Sequence, residues 1–388
     1  MLRRFSFLSV ALLLTLLFAC NAKQKNLFSA QAMGRPDEMY LMAETNLWEG
    51  YVGDTVRNHF AAYYPLMPQP EPIYGIRHFE PGAFNDVVRK HRTVVMIANL
   101  EEQGLAYNFV VQGIGPKNLE KAKADSSFCM IVGKDRFVDG QIVVYLFSYG
   151  AKRLAQNVHR VAPNLLKYLQ DRDAARIKEQ LFVGGHNKVV QDTLKKSFGL
   201  KFEIPMLYFL TRIEPDFAWV RRETVELSSN LFIYTVPVSD TSMVITEKMV
   251  HDIRNEATKK YIGTEAKDSY TEIHDEIPVP EYHKITLGGK NCMEGRGLWR
   301  TVNDFMGGPY FSYVVMDGKN KRLILIDAFV YAPSGQPESG LKFFSKEGKK
   351  QAASLQQAQQ AAQSAKNEDW SKKPYMRDLE AIVKTVKF

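Results

Sequence analysis

The stretch that decides the fold is CMEGRGLWR at Cys292–Arg300, followed by YFSYVVM at Tyr310–Met316 and LILIDAFV at Leu323–Val330. Each run is short, rich in β-branched and aromatic residues, and bounded by Gly, Pro, Asn or Asp. That is the composition of strands joined by turns. Asp317 and Gly318 begin the tightest turn. With His283–Leu287 in front, four such runs succeed one another without a helix-length segment between them, so neighbours are expected to pair antiparallel.

Upstream, strands and helices alternate. Met39–Glu44, Ile73–Phe79, Thr93–Leu100, Gln141–Tyr149, Phe202–Arg212, Phe217–Glu223 and Leu231–Val238 have strand composition. Trp48, Tyr51, Val52, Val56 and Phe60 keep helical spacing, and Phe84, Val87 and Val88 mark a short helix. Leu154, Val158, Val161, Leu165 and Leu169 also recur every three or four residues, with Ala174, Ile177 and Leu181 continuing the stripe as far as Gly184 and Gly185. Pro163 inside this stripe predicts a kink or a split. Val190, Leu194 and Phe198 form one face of a further helix that Gly199 is suited to cap. Met249, Val250, Ile253 and Ala257 mark another. The prolines between Leu66 and Pro72 fix φ and remove donors, which predicts an extended connector. Strand followed by helix recurs near 39–62, 141–198 and 231–261, a weak repeat with no residue identity behind it. Helices and hairpins segregated in this way give an α+β fold, with antiparallel or mixed sheets and flanking helices, rather than a doubly wound parallel one. Residues 38–333 are expected to be globular, as one large core or two packed subdomains.

The two ends read differently. Arg3 and Arg4 precede an apolar run from Phe5 to Ala19 that is shorter than the about 20 residues of a spanning helix. Positive, apolar and small residues in that order make residues 1–19 a secretory signal. Leu17, Phe18, Ala19 and Cys20 resemble a bacterial lipobox, so Cys20 is the expected lipidation site and 20–37 a lipidated tether. The protein is then anchored to a membrane by fatty chains, in the cell envelope, facing the periplasm or on the outer membrane. Residues 334–372 change character, and Gln351–Ala365 is rich in Gln and Ala with almost nothing large to bury, which predicts an exposed insertion. Tyr375, Leu379, Ile382 and Val383 then resume helical spacing, so 373–388 is expected to form a helix docked on the core.

The chain has 51 basic and 43 acidic residues, net +8, and loss of Arg3 and Arg4 with the signal leaves +6. That is an ordinary surface, and no nucleic-acid partner is expected. A hydrophobic content of 45% with 12% aromatic residues is globular rather than disordered. After Cys20 only Cys129 and Cys292 remain, too few for a disulfide framework.

Several motifs resemble one known family. They are Trp48, Glu49 and Gly50 with Gly53 and Asp54, and the proline run from Leu66 to Pro72. Phe198 and Gly199 with Ile204 and Pro205 follow, then Phe217 with Trp219 and Arg221. The strongest are Arg296-Gly297-Leu298-Trp299, Asp304-Phe305-Met306-Gly307-Gly308-Pro309 and Tyr331-Ala332-Pro333. In these the chain resembles the domain-of-unknown-function 4837 family of Bacteroidetes lipoproteins, over about Trp48–Phe388 apart from the 334–372 insertion. The resemblance implies an envelope location and no catalytic residues.

Candidate ligand residues come from two places. Trp219, Arg221 and Glu223 share one strand face, with Arg222 on the other. A Trp–Arg pair suits an acidic or glycan ligand, and a structural ion pair suits the same residues. Arg296, Trp299, Arg300 and Asp304 have the residue types of a cleft, with Gly307 and Gly308 admitting a ligand to the backbone. As a core Trp before a glycine turn the same motif needs no ligand. Glu272, His274 and Glu276 alternate on one face but stand in a charged stretch beside prolines, so no metal is expected. No cofactor motif, nucleophile elbow or phosphate loop is present. The expected function is non-catalytic binding of an envelope protein or ligand. The alternative is an envelope-polymer hydrolase assembled from distant residues.

Overall fold

The strand run 290–331 forms the middle of an eight-stranded antiparallel sheet. The computed structural model describes residues 30–224, 227–264, 266–331 and 371–388. Their contacts divide them into two units, the described residues of 30–54 with 76–158 and those of 55–75 with 159–331 and 371–388.

The first unit holds a five-stranded sheet. In chain order its strands are β1 (Glu38–Met42), β2 (Gly75–Phe79), β3 (Thr93–Asn99), β4 (Met130–Lys134) and β5 (Ile142–Ser148), in the spatial order β2-β1-β3-β5-β4. β1, β3 and β5 run parallel, and β4 lies antiparallel to β5. Every residue of β3 and β5 is buried, as expected of parallel strands covered on both faces. Two helices, Leu105–Ile114 and Pro116–Ala124, place Val110, Ile114 and Ala122 in a core with Met96, Val143 and Phe147. Residues 30–37 at the end of the expected tether are tied in. Ala32 N–H donates to Asp139 O at 2.8 Å and Met33 N–H to Lys90 O at 2.9 Å.

The second unit is built on β6 (Phe209–Ile213), β7 (Phe217–Glu223), β8 (Ser228–Pro237), β9 (Tyr270–His274), β10 (Glu281–Leu287), β11 (Lys290–Val302), β12 (Gly307–Asp317) and β13 (Arg322–Tyr331). The order is β10-β11-β12-β13-β8-β7-β6, with β9 on the remaining length of β11. Of the helices, α1 (Lys188–Phe198) and α3 (Lys373–Val383) belong to one core, with Ala218, Leu231, Phe311, Ile326 and Val330. α2 (Glu247–Tyr261) belongs to the other, with Phe217, Phe232, Trp299, Tyr310 and Phe329. Because successive strand residues point to opposite faces, the sheet feeds both cores at once. Near-continuous burial along β8, β12 and β13 follows from this.

Two local expectations change. The stripe around Pro163 is one continuous helix, Ala151–Leu181. Ala162, Leu165 and Leu169 are buried around the proline, and that burial outweighs one lost backbone bond. Phe202–Tyr208 is not strand, apart from an isolated bridge of Pro205 to His186; the ladder begins at Phe209. Pro205 has no N–H for a ladder, and Tyr208 N–H turns back to Pro205 O at 3.1 Å. Of the three strand–helix recurrences, the first starts from β1 in the parallel sheet and the last from β8 inside the antiparallel one. Residues 1–29 and 332–370, which include Cys20, Ala332, Pro333 and the Gln/Ala-rich segment, lie outside the described residues. Among the described residues no helix is long and apolar enough to cross a membrane.

Candidate functional site

Strand register decides which candidates meet. Gly297 pairs with Tyr310, Tyr310 with Phe329, Phe329 with Asn230, and Asn230 with Arg221. Gly295, Ser312, Asp327, Phe232 and Trp219 form the next row on the α2 side of the sheet. Trp219, Arg221, Glu223 and Trp299 therefore share one face, although 80 residues of chain separate Trp219 from Trp299. Arg221 and Glu223 form an ion pair. The Arg221 guanidinium also lies 5.6 Å from the Trp219 ring centre, and Trp219 Nε1–H donates to Asn230 Oδ1 at 3.1 Å. Burial pushes the Glu223 carboxyl up to about 7, against the pull of Arg221.

Trp299 is 3% exposed and packs edge-to-face on Phe329 at 5.4 Å. Its Nε1–H donates to Val330 O at 3.3 Å. The motif glycines serve these rings. A Cβ on Gly308 would lie 3.0 Å from Trp299 Nε1 and 2.2 Å from Val330 O, and one on Gly297 would lie 2.9 Å from the Tyr310 ring. The space they leave is filled by the protein's own aromatics.

Arg296 is on the opposite face. It pairs with Glu294 at 2.8 Å and with Glu380 of α3 at 2.6 Å, and Glu380 also accepts from the Tyr64 hydroxyl at 3.0 Å. Arg300 pairs with Glu272 at 3.0 Å and lies 3.6 Å from Glu276. Two of the three residues that alternate on the β9 stretch are thus engaged by an arginine, and among the described residues no group of three His, Cys, Asp or Glu is placed to hold a metal. Asp304 accepts from Phe305 N–H at 2.8 Å within the β11–β12 turn. The structure thus brings together Trp219, Arg221, Glu223 and Trp299 and separates them from Arg296, Arg300 and Asp304.

The other face of β7 carries a hollow that sequence reasoning did not find. Arg222 points away from Arg221, into a cavity of about 310 Å³ in the second unit. Ile177 and Leu181 at the end of the long helix form one wall, and Met206 and Leu207 the other. Gln180, Tyr208, Arg222 and Asp378 of α3 supply its polar lining. The loop holding this wall is clipped in place, since Met206 N–H donates to Gly185 O at 3.1 Å and Asn187 Nδ2–H to Tyr208 O at 2.8 Å. Arg222 Nη1 stands 3.6 Å from Asp378 Oδ2, an ionic contact longer than a hydrogen bond. The Tyr208 hydroxyl is buried and interacts with the Ser229 hydroxyl and the Arg222 guanidinium beside it. Burial pushes the Asp378 carboxyl up to about 6, with Arg222 and Arg377 pulling it down. The legible signals were the alternation that sends Arg222 to the opposite face from Arg221, and Gly184–Gly185 before Pro205. Nothing local links either to Asp378.

The first unit has an open acidic hollow around Glu44, Glu80 and Glu102. Its carboxylates are already used. Glu44 accepts from Ala106 N–H at 3.3 Å, Glu80 from the Thr45 hydroxyl, and Glu102 from Asn99 Nδ2–H at 2.7 Å.

Against known families, residues 187–340 match the one described as Domain of unknown function (DUF4837). This part of the chain is a DUF4837 domain. It contains both Trp219 and Trp299, while Asp378 and the long helix lie outside its limits. The match is narrower than the motif resemblance, because residues 32–182 match a different family, described as Domain of unknown function (DUF8532). Trp48-Glu49-Gly50 and the proline run fall there, not in the DUF4837 domain. No curated protein matches the sequence. Two solved structures show distant likeness. LpqN, involved in cell envelope biogenesis of Mycobacterium tuberculosis, is 9% identical over 48% of this chain and 82% of its own, with a TM-score of 0.23. Human STARD10 is 11% identical over 50% and 80%, with a TM-score of 0.21. At such scores neither bears on fold or function.

Proposed function

We propose that this chain is a lipid-anchored cell-envelope protein that binds a small ligand or partner group without transforming it. The observation that carries the binding role is the hollow beside β7, where apolar walls meet a few polar groups, Arg222 and Asp378 among them. That is the usual make-up of a ligand site. A hydrolytic role would need convergent acid and base groups. Among the described residues, the raised carboxyls Glu223 and Asp378 belong to opposite faces of the sheet, and Asp327, also raised by burial, is enclosed with Arg254, so no two of them are free to act on one bond. The anchor rests on the signal order ending at Cys20.

Two measurements test this. Cys20→Ala should abolish incorporation of an alkynyl fatty acid and move the protein out of the membrane fraction. An unlabelled wild-type protein, or a mature amino terminus found elsewhere by mass spectrometry, refutes the anchor. Envelope-derived small molecules should raise the melting temperature of the chain lacking residues 1–20. No stabilisation by any fraction counts against the binding role.

A further inference from the structure

The hollow beside β7 presents a guanidinium at its polar end. A guanidinium carries five N–H groups, and Arg222 spends one loosely on Asp378 at 3.6 Å and another on the Tyr208 hydroxyl. The Tyr208 side chain is wholly buried, and its hydroxyl interacts with Ser229 and Arg222. A planar carboxylate matches the remaining N–H groups of the guanidinium in shape and charge. Apart from Gln180 and Asp378, the remaining side chains of the lining are apolar. Met206 and Leu207 are 46% and 38% exposed, more than is comfortable for side chains of this kind in water. From this geometry we propose that the hollow binds a monocarboxylate carried on an apolar body, with its carboxylate on the exposed part of the Arg222 guanidinium and its apolar part between Leu181 and Met206–Leu207. This rests on the binding role above and names the ligand's chemistry. The same chemistry has two sources, a free fatty acid and the C-terminus of an apolar peptide.

Asp378 makes the site sensitive to pH. The charged and titratable groups around it are Arg222 of β7, Arg377 of its own helix and Tyr208 of the adjoining loop. An entering carboxylate competes with Asp378 for Arg222 and is repelled by its charge, so binding takes up a proton at Asp378. Affinity should therefore rise as pH falls through about 6.

The test is calorimetry with the chain lacking residues 1–20, titrated at pH 5.5 and pH 8 with octanoate, octanol, octylamine and a leucine-terminated dipeptide in its free-acid and amide forms. Octanoate or the free-acid dipeptide should bind at least about tenfold more tightly than its uncharged counterpart, and more tightly at pH 5.5. Which of the two wins identifies the source. Arg222→Gln should weaken the winner at least about tenfold, and Asp378→Asn should remove the pH dependence. Should Arg222→Gln fail to fold, Leu207→Asp keeps the test alive, because this exposed residue can be charged without disturbing the core and should repel the carboxylate. Octanol or octylamine binding as well as octanoate would overturn the carboxylate assignment and leave the binding role standing. No binding by any probe would overturn both.

Discussion

Replacing Trp299 with alanine measures how the RGLW motif is used. The ring is 3% exposed, edge-on to Phe329, and its Nε1–H is the bond to Val330 O. Large-to-small changes of a buried aromatic cost about 3–5 kcal/mol, from lost transfer energy and from a cavity that closes only in part. Here closure is hindered. Gly308 and Gly297 have no side chains to move into the space, and Val330 O loses its partner, which places the cost in the upper half of that range. For a domain of about 250 residues each kcal/mol lowers the melting temperature by roughly 2–4 °C. A fall of about 8–20 °C is expected by circular dichroism or calorimetry. Trp299→Phe keeps much of the apolar area and loses the hydrogen bond, so it should cost about 1–2 kcal/mol. A Trp299→Ala protein melting within about 2 °C of wild type would refute the packing account of the motif and return Trp299 to the list of ligand residues.

Arg296→Ala strands Glu294 and Glu380, two largely buried carboxylates, and should cost about 3–5 kcal/mol at pH 7. Burial pushes the Glu380 carboxyl up, and Arg296, Lys384 and the Tyr64 hydroxyl more than reverse it, so it sits below the ordinary range. A depressed carboxyl stabilises above its unfolded value and loses that contribution as pH falls through the folded one. The gap between wild type and Arg296→Ala should therefore be widest at neutral pH and shrink below about pH 4. A gap independent of pH between 3 and 7, by urea denaturation, would contradict this. In the α2 core, Arg254 Nε donates to Asp327 Oδ2 at 2.8 Å, the guanidinium lies 3.9 Å from the Tyr310 ring centre, and both charged side chains are almost wholly inaccessible. Arg254→Leu alone should cost about 3–5 kcal/mol, whereas the double change with Asp327→Leu should recover most of it. Additive losses in that double-mutant cycle would show that the two charges act independently.

The strands from His283 to Val330 were legible because antiparallel pairing of neighbours is a local matter. Alternation, turn residues and short loops lie within the stretch they order. The helix faces at Val190, Leu194 and Phe198 and at Leu379, Ile382 and Val383 were legible for the same reason, since a 3.6-residue period is written in consecutive positions. The parallel ladder β1-β3-β5 was not, because its strands lie 50 residues apart and burial on both faces erases alternation. Sequence also placed Arg221 and Arg222 on opposite faces, a consequence of the two-residue period alone. It was silent on what each would meet. Arg221 finds Glu223 two residues away, but Arg222 finds Asp378 from a helix 156 positions later, and Trp299 joins the face of Trp219 only through the register of three intervening strands. Residue type and period decide which way a side chain points. The partner at the end of it, and so whether a tryptophan or an arginine is core, ion pair or ligand site, is decided by long-range packing that no local pattern encodes.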